Sequence, residues 1–255
     1  MGERAGYTPG TFCFADLGTG DRDAAASFYG GLFGWSAEGS QGAYTMFTLE
    51  GKPVAGMFQA PEDYPSSWLS YISVEDADAI AARARELGAS VPLAPRAVSD
   101  EAEIGRSGLL KDPQGAAVAL WEPGLHVGAG LVNDVGAMVW NQLAASDVEA
   151  AKGFYAELFG WTTEPVEDGQ GEYWNWRNRD GWLNGGVTAL PTEDTPPHWQ
   201  VWFTVEDAAG AVARAQELGG TEAVPVAPTP LGGDVAVVQD PTGAAFVLFA
   251  GDIDP

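Results

Sequence analysis

Apolar positions along this chain change their period several times, and the changes come twice in the same order. Residues 11–17 and 137–143 are short apolar runs of strand character, each followed within a few residues by an aspartate, Asp21 or Asp147, placed to cap a helix. The helices that follow put Ala24, Phe28 and Leu32, or Ala150, Phe154 and Leu158, at i, i+4 and i+8. That spacing makes one apolar face. Gly34 and Gly160 then stand where a helix C-terminus takes a left-handed residue. Two strand-like runs come next in each half, 44–49 and 54–58 in the first, 173–177 and 184–190 in the second. A further strand is predicted over 68–74 and 199–205. It leads into a second helix with Ile80, Ala84 and Leu87, or Ala211, Ala215 and Leu218, on one face. A final strand after an Asp-Pro-x-Gly turn closes each half.

The recurrence is literal. Residues 14–35 align with 140–161 without a gap, and 10 of these 22 positions are identical. Residues 74–88 recur at 205–219, and the DPQGAAVAL segment from Asp112 recurs as DPTGAAFVL from Asp240, so the offsets run 126, 131 and 128. Three blocks in one order with nearly constant offset mean a duplicated module. The halves run 10–122 and 136–250, joined by the Gly-rich linker 123–135. Strands and helices mixed in this order predict an α+β class with mixed sheets.

Composition narrows the function classes. With 45% hydrophobic residues, 10 Trp, 7 Tyr and 11 Phe in 255 residues, the chain is expected to bury a sizeable core. Its 36 acidic residues against 12 basic ones leave a net charge of −24, which repels nucleic acid and anionic lipid surfaces alike. No stretch reaches the 18 apolar residues of a membrane span. The single cysteine, Cys13, cannot form an internal disulfide, and residues 1–12 lack a basic start and an apolar core. A cytoplasmic setting is the expectation. Only two histidines, His126 and His198, are present.

The strand, Asp, helix ending F-Y-x-x-L-F-G-W, then V-E-D and a helix ending E-L-G, then D-P-x-G and a strand, resembles the vicinal-oxygen-chelate superfamily of glyoxalases, bleomycin-resistance proteins and extradiol dioxygenases. The resemblance implies tandem βαβββ modules whose mixed sheets curve around clefts. Within that group the chain is similar to two-module bacterial proteins of aromatic-polyketide pathways, often labelled hydroxylases, and to antigens labelled glyoxalases. Metal-dependent members take His or Gln, His and Glu from three strand positions. The resemblance carries those positions onto Phe14, Leu69 and Ala119 in one half and Trp140, Gln200 and Val247 in the other. Only Gln200 of these offers an oxygen, so no metal and no other cofactor is expected.

If those positions face the cleft, period-2 alternation turns Phe12, Phe14 and Asp16 inward with Tyr71 and Trp121, and Trp140 and Gln142 inward with Gln200 and Trp202. The expected partner of such a π-rich, sparsely polar cleft is a planar hydrophobic aromatic small molecule. Asp16 and His198 are the candidate acid–base groups. Asp16, desolvated by Phe12 and Phe14, would have a raised pKa. Its alternative is a strand-end carboxylate bonding the amides of the 18–20 turn, and that of His198 is a loop histidine. His126, in the linker, is expected to be solvated, and Cys13 to be a small core residue. Three readings follow. The first is a metal-independent tailoring hydroxylase or isomerase of antibiotic biosynthesis. The second is a carrier or sequestering protein without turnover, and the third, disfavoured by the ligand count, a metal-dependent glyoxalase or dioxygenase. Either a monomer or a homodimer is compatible with two modules in one chain.

Overall fold

A computed structural model describes residues 2–39, 44–99, 103–166, 173–192 and 194–251. The first half contains β1 (Phe12–Thr19), α1 (Arg22–Phe33), β2 (Ser36–Glu38), β3 (Tyr44–Leu49), β4 (Lys52–Gln59), β5 (Ser67–Ser73), α2 (Ala77–Glu86), β6 (Ser90–Ala97), β7 (Gly105–Lys111) and β8 (Ala117–Pro123). The second repeats it as β9 (Met138–Ala145), α3 (Val148–Phe159), β10 (Thr162–Pro165), β11 (Tyr173–Arg177), β12 (Leu183–Ala189), β13 (His198–Thr204), α4 (Ala208–Glu217), β14 (Thr221–Pro228), β15 (Asp234–Gln239) and β16 (Ala245–Ala250). Each half is one mixed eight-stranded sheet, ordered β2-β3-β4-β1-β5-β8-β7-β6 and β10-β11-β12-β9-β13-β16-β15-β14. β1 and β5 pair antiparallel at the centre, while β1 with β4 and β5 with β8 pair parallel. Each half therefore holds two βαβββ units side by side.

Local chemistry sets the helix ends. Asp21, Asp76, Asp147 and Asp207 accept hydrogen bonds from backbone amides of the first turn, and Gly34 and Gly160 end α1 and α3 at φ of 74° and 71°. The strand pairs β6–β7 and β14–β15, absent from the sequence-based expectation, carry prolines at 92, 95, 225 and 228 and little apolar alternation. Edge strands tolerate Pro because one row of their amides faces no partner.

The halves share their cores. Phe28, Tyr29 and Phe33 of α1 bury themselves with Phe203, Val212 and Phe246 of the second half. Phe154, Tyr155 and Trp161 do so with Ile72, Ala84 and Leu120 of the first. The repeated motifs explain this exchange. Tyr29 donates to Asp240 (2.9 Å) and Tyr155 to Asp112 (3.1 Å), so the F-Y of each half bonds the Asp-Pro turn of the other. Trp68 and Trp199 donate to the same tyrosine hydroxyls. Trp35 donates to the Gly136 carbonyl and Trp161 to that of Gly10, each at 2.7 Å. A buried phenol or indole without such a partner would cost about 1–3 kcal/mol, so these motifs hold module to module rather than line a cleft.

Candidate functional site

The first-half candidate site is built on β1, whose eight residues are all buried. Asp16 lies at its centre, opposite Gly56 of β4 and Leu69 of β5. Its two carboxylate oxygens take separate partners. The Tyr44 hydroxyl donates to Oδ1 at 2.6 Å and the Tyr71 hydroxyl to Oδ2 at 2.8 Å. Charged acceptors shorten such bonds. Gly56 makes the approach possible, since a Cβ there would lie 1.8 Å from the Tyr44 hydroxyl and 2.1 Å from Asp16 Oδ1. Burial pushes the Asp16 pKa up to about 6, against the two phenol hydrogen bonds that pull it down. The Tyr44 and Tyr71 phenols are pushed up, first by burial and then by the Asp16 charge, so both keep their protons.

Aromatic rings flank this carboxyl. Phe14 meets Tyr71 edge-on at 6.3 Å, and Trp121 meets Tyr71 at 6.4 Å. His126 corrects the expectation of a solvated linker residue. Its ring packs edge-on against Phe14 (5.0 Å) and Trp121 (5.5 Å), and its buried Nε2 has no hydrogen-bond partner. Burial lowers its pKa, which favours the neutral ring.

The second-half cleft is built alike but does not titrate alike. Gln142 stands where Asp16 does, opposite Gly186 and Gln200. Tyr173 donates to Gln142 Oε1 (3.1 Å) and accepts from Trp140 Nε1 (2.9 Å), again over a glycine, Gly186, whose Cβ would fall 2.1 Å from the hydroxyl. Trp140, Trp202, Val247 and Phe249 form a small apolar cluster of their own. The Trp202 Nε1 hydrogen is buried there without an acceptor.

The sequence-predicted residues therefore separate. Phe14, Asp16, Tyr71 and Trp121 come together, buried, on the first sheet, and Trp140, Gln142, Gln200 and Trp202 lie at the matching positions of the second. Phe12 does not join them. The β1–β5 register shifts between Phe12 and Phe14, which turns the Phe12 ring onto Trp199 (4.9 Å) and Trp161 (5.6 Å) between the modules. A β-bulge breaks the period-2 count on which the expectation rested. Cys13, at this shift, is fully buried and directs its thiol at the Tyr71 carbonyl. His198 belongs to the other sheet from Asp16, and its Nδ1 meets the Pro196 carbonyl at 2.9 Å.

Sequence reasoning missed Tyr44, Gly56 and their counterparts Tyr173 and Gly186. Their recurrence at offsets of 129 and 130, 173 less 44 and 186 less 56, was the available signal.

The donor chemistry of these clefts does not fit a resident divalent ion. Such an ion needs several carboxylate, imidazole or thiolate donors on one point. Among the described residues no three His, Cys, Asp or Glu side chains converge. Among the described residues, too, no helix is long and apolar enough to cross a membrane.

Comparison with known proteins follows the repeat. A glyoxalase-like domain model matches residues 12–121 and again 138–249. "Putative glyoxylase CFP32" of Mycobacterium tuberculosis (strain CDC 1551 / Oshkosh) is 36% identical over 255 residues, covering 96% of this chain and 97% of that protein. "Anthracycline biosynthesis protein DauV" of Streptomyces sp. (strain C5) is 33% identical over 261 residues, covering 94% and 93%. Among solved structures, the Mn(II)-bound glyoxalase of Novosphingobium aromaticivorans superposes with a TM-score of 0.66 at 15% identity, covering 100% of this chain and 85% of that one. At that identity the likeness is one of fold.

Proposed function

Because the chain belongs to the glyoxalase-like domain family, its concave clefts are where a small molecule is to be sought, and we propose what the first of them does. It binds a planar, hydrophobic, carbonyl-bearing aromatic of polyketide or quinone type, without metal, and moves a proton on it through Asp16. The observation that carries this reading is the buried Asp16 carboxyl, at about 6 rather than the ordinary 3.8, between two phenols. A carboxylate with that affinity for protons is a stronger base than an exposed one and is mostly ionised at neutral pH. Its position among Phe14, Tyr71 and Trp121 suits stacking on a flat ring system.

Proton abstraction from a carbon or phenol next to a carbonyl is the step that Asp16 supplies. Returning that proton elsewhere on the ring completes an isomerisation. In a tailoring hydroxylase the resulting carbanion would instead form a C–O bond to dioxygen taken as co-substrate, and the hydroperoxide would break its O–O bond with loss of water, leaving a new ring carbonyl. Tyr44 and Tyr71 support the step by stabilising the ionised carboxylate. The donor set supports metal independence, and the similarity to a Streptomyces protein named for anthracycline biosynthesis supports the substrate class and a place in antibiotic biosynthesis. The buried free thiol of Cys13 supports a reducing, cytoplasmic setting. Cores shared within one chain support a monomer.

The test is Asp16→Asn, assayed by product chromatography with hydroxylated anthraquinones and naphthacenequinones. Loss of general-base catalysis should lower turnover by about 100-fold or more while affinity changes little. Unchanged turnover removes Asp16 from the chemistry. Binding without any product, for wild type and variant alike, selects the carrier reading, which Gln142 already favours for the second cleft because an amide cannot act as a base.

A further inference from the structure

A cavity of about 400 Å³ lies between the N-terminal segment and the second module, and neither Asp16, Tyr44 nor Tyr71 lines it. Its volume falls within the roughly 300–1,000 Å³ of small-molecule sites. Its origin is a break in the repeat. In the first half the linker closes the corresponding place. Ala129 donates to the Cys13 carbonyl (2.8 Å), Gly130 to that of Pro53 (2.7 Å), and His126 covers Phe14 and Trp121. The aligned positions in the second half are Val139, Leu183 and Trp140, and all three line the cavity. Among the described residues no loop amide reaches Val139 or Leu183 as the linker reaches its partners.

The far wall is held in place. Arg4 donates its amide to the Gly130 carbonyl (3.0 Å), Tyr7 its hydroxyl to that of Ala129 (2.7 Å), and Thr8 its hydroxyl to Asp180 (2.8 Å). At the rim stands Trp182, 58% exposed. Its turn is rigid, since Asn178 Oδ1 accepts from the amides of Asp180 and Trp182 at 3.0 Å each and Asn178 Nδ2 donates to Thr11. A large indole kept exposed on an ordered turn needs little further ordering to bind. In a chain of net charge −24, this cavity is lined by one basic residue, Arg4, whose Nη1 donates to the Glu3 carbonyl (3.3 Å), and by no acidic residue.

We propose that this cavity is a second binding site, for a flat aromatic that carries an anionic oxygen, packing on Trp182 and Trp140 and turning its charge toward Arg4. No carboxylate or imidazole lines it, so the ligand is held without proton transfer. The site is independent of the Asp16 cleft, which repels an anion by its own carboxylate.

Isothermal titration with anthraquinone-2-carboxylate tests the assignment. One equivalent should bind per chain. Trp182→Ala and Arg4→Gln should each weaken binding about tenfold, a loss of about 1.4 kcal/mol. Both substituted residues lie at the surface, and unaltered urea midpoints will show that the variants fold. Absence of saturable binding overturns the proposal. So does binding that survives Trp182→Ala but is lost in Trp121→Ala, which would place the probe in the first cleft.

Discussion

Replacing Tyr44 by phenylalanine keeps the ring and deletes one of the two hydrogens that hold the Asp16 carboxylate. A hydrogen bond to a buried charged group is worth about 1.5–3 kcal/mol, and about 1.36 kcal/mol moves an ionisation by one pH unit. Burial already holds Asp16 at about 6. Losing the 2.6 Å bond from Tyr44 should therefore carry the carboxyl to roughly 7–8. Stability follows with a definite sign. Because the folded value lies above the ordinary 3.8, the folded protein binds more protons than the unfolded chain between roughly pH 4 and 6, and stability falls as pH rises through that window. The loss amounts to about 3 kcal/mol by pH 7. In Tyr44→Phe the fall should continue to roughly pH 8 and grow by about 1.5–3 kcal/mol. Carbon-13 NMR of the aspartate carboxyls, assigned by the resonance missing in Asp16→Asn, reads the titration directly, and urea midpoints against pH read the stability. An Asp16 midpoint that stays near 6 or falls would refute the reasoning, because the Tyr44 hydroxyl would then not be stabilising the anion.

Two further substitutions probe the site's construction. Gly56→Ala puts a methyl where the Tyr44 hydroxyl stands, 1.8 Å away; it should displace that ring, raise the Asp16 midpoint as Tyr44→Phe does and cost about 1–3 kcal/mol in urea unfolding, and an unmoved midpoint would show that the glycine is not required. Phe12→Ala should cost about 3–5 kcal/mol in unfolding while leaving first-cleft affinity for neutral 1,8-dihydroxyanthraquinone within about twofold; a loss of affinity with little loss of stability would return Phe12 to the cleft.

Much of the architecture was legible because it is written in local chemistry. Capping aspartates, left-handed glycines and apolar helix faces act within a few residues, and duplication displays each of them twice. The cleft was legible only in part. Alternation brings Phe14 and Asp16 to one face correctly, but it carries no information about the irregularity that sends Phe12 to the other. His126 looked solvated because it lies in a Gly-rich linker. Its burial comes from Phe14 and Trp121, which are distant in sequence or on another strand. The F-Y and Asp-Pro motifs were visible as repeats, yet their purpose was not, since each satisfies the other half's buried groups.

By itself the sequence determined the duplicated α+β architecture, the placement of its helices and first strands, and the count of only two histidines. Residue type and short-range spacing decide all three. Only the tertiary structure decided what a single carboxylate becomes. Asp16 is an ordinary aspartate until Gly56 lets Tyr44 approach, Tyr71 closes from the next strand, and burial removes the water that would otherwise hold its charge. Those partners lie 28 and 55 residues away, and an ionisation energy is set by the groups that surround a residue in space, not by its neighbours along the chain.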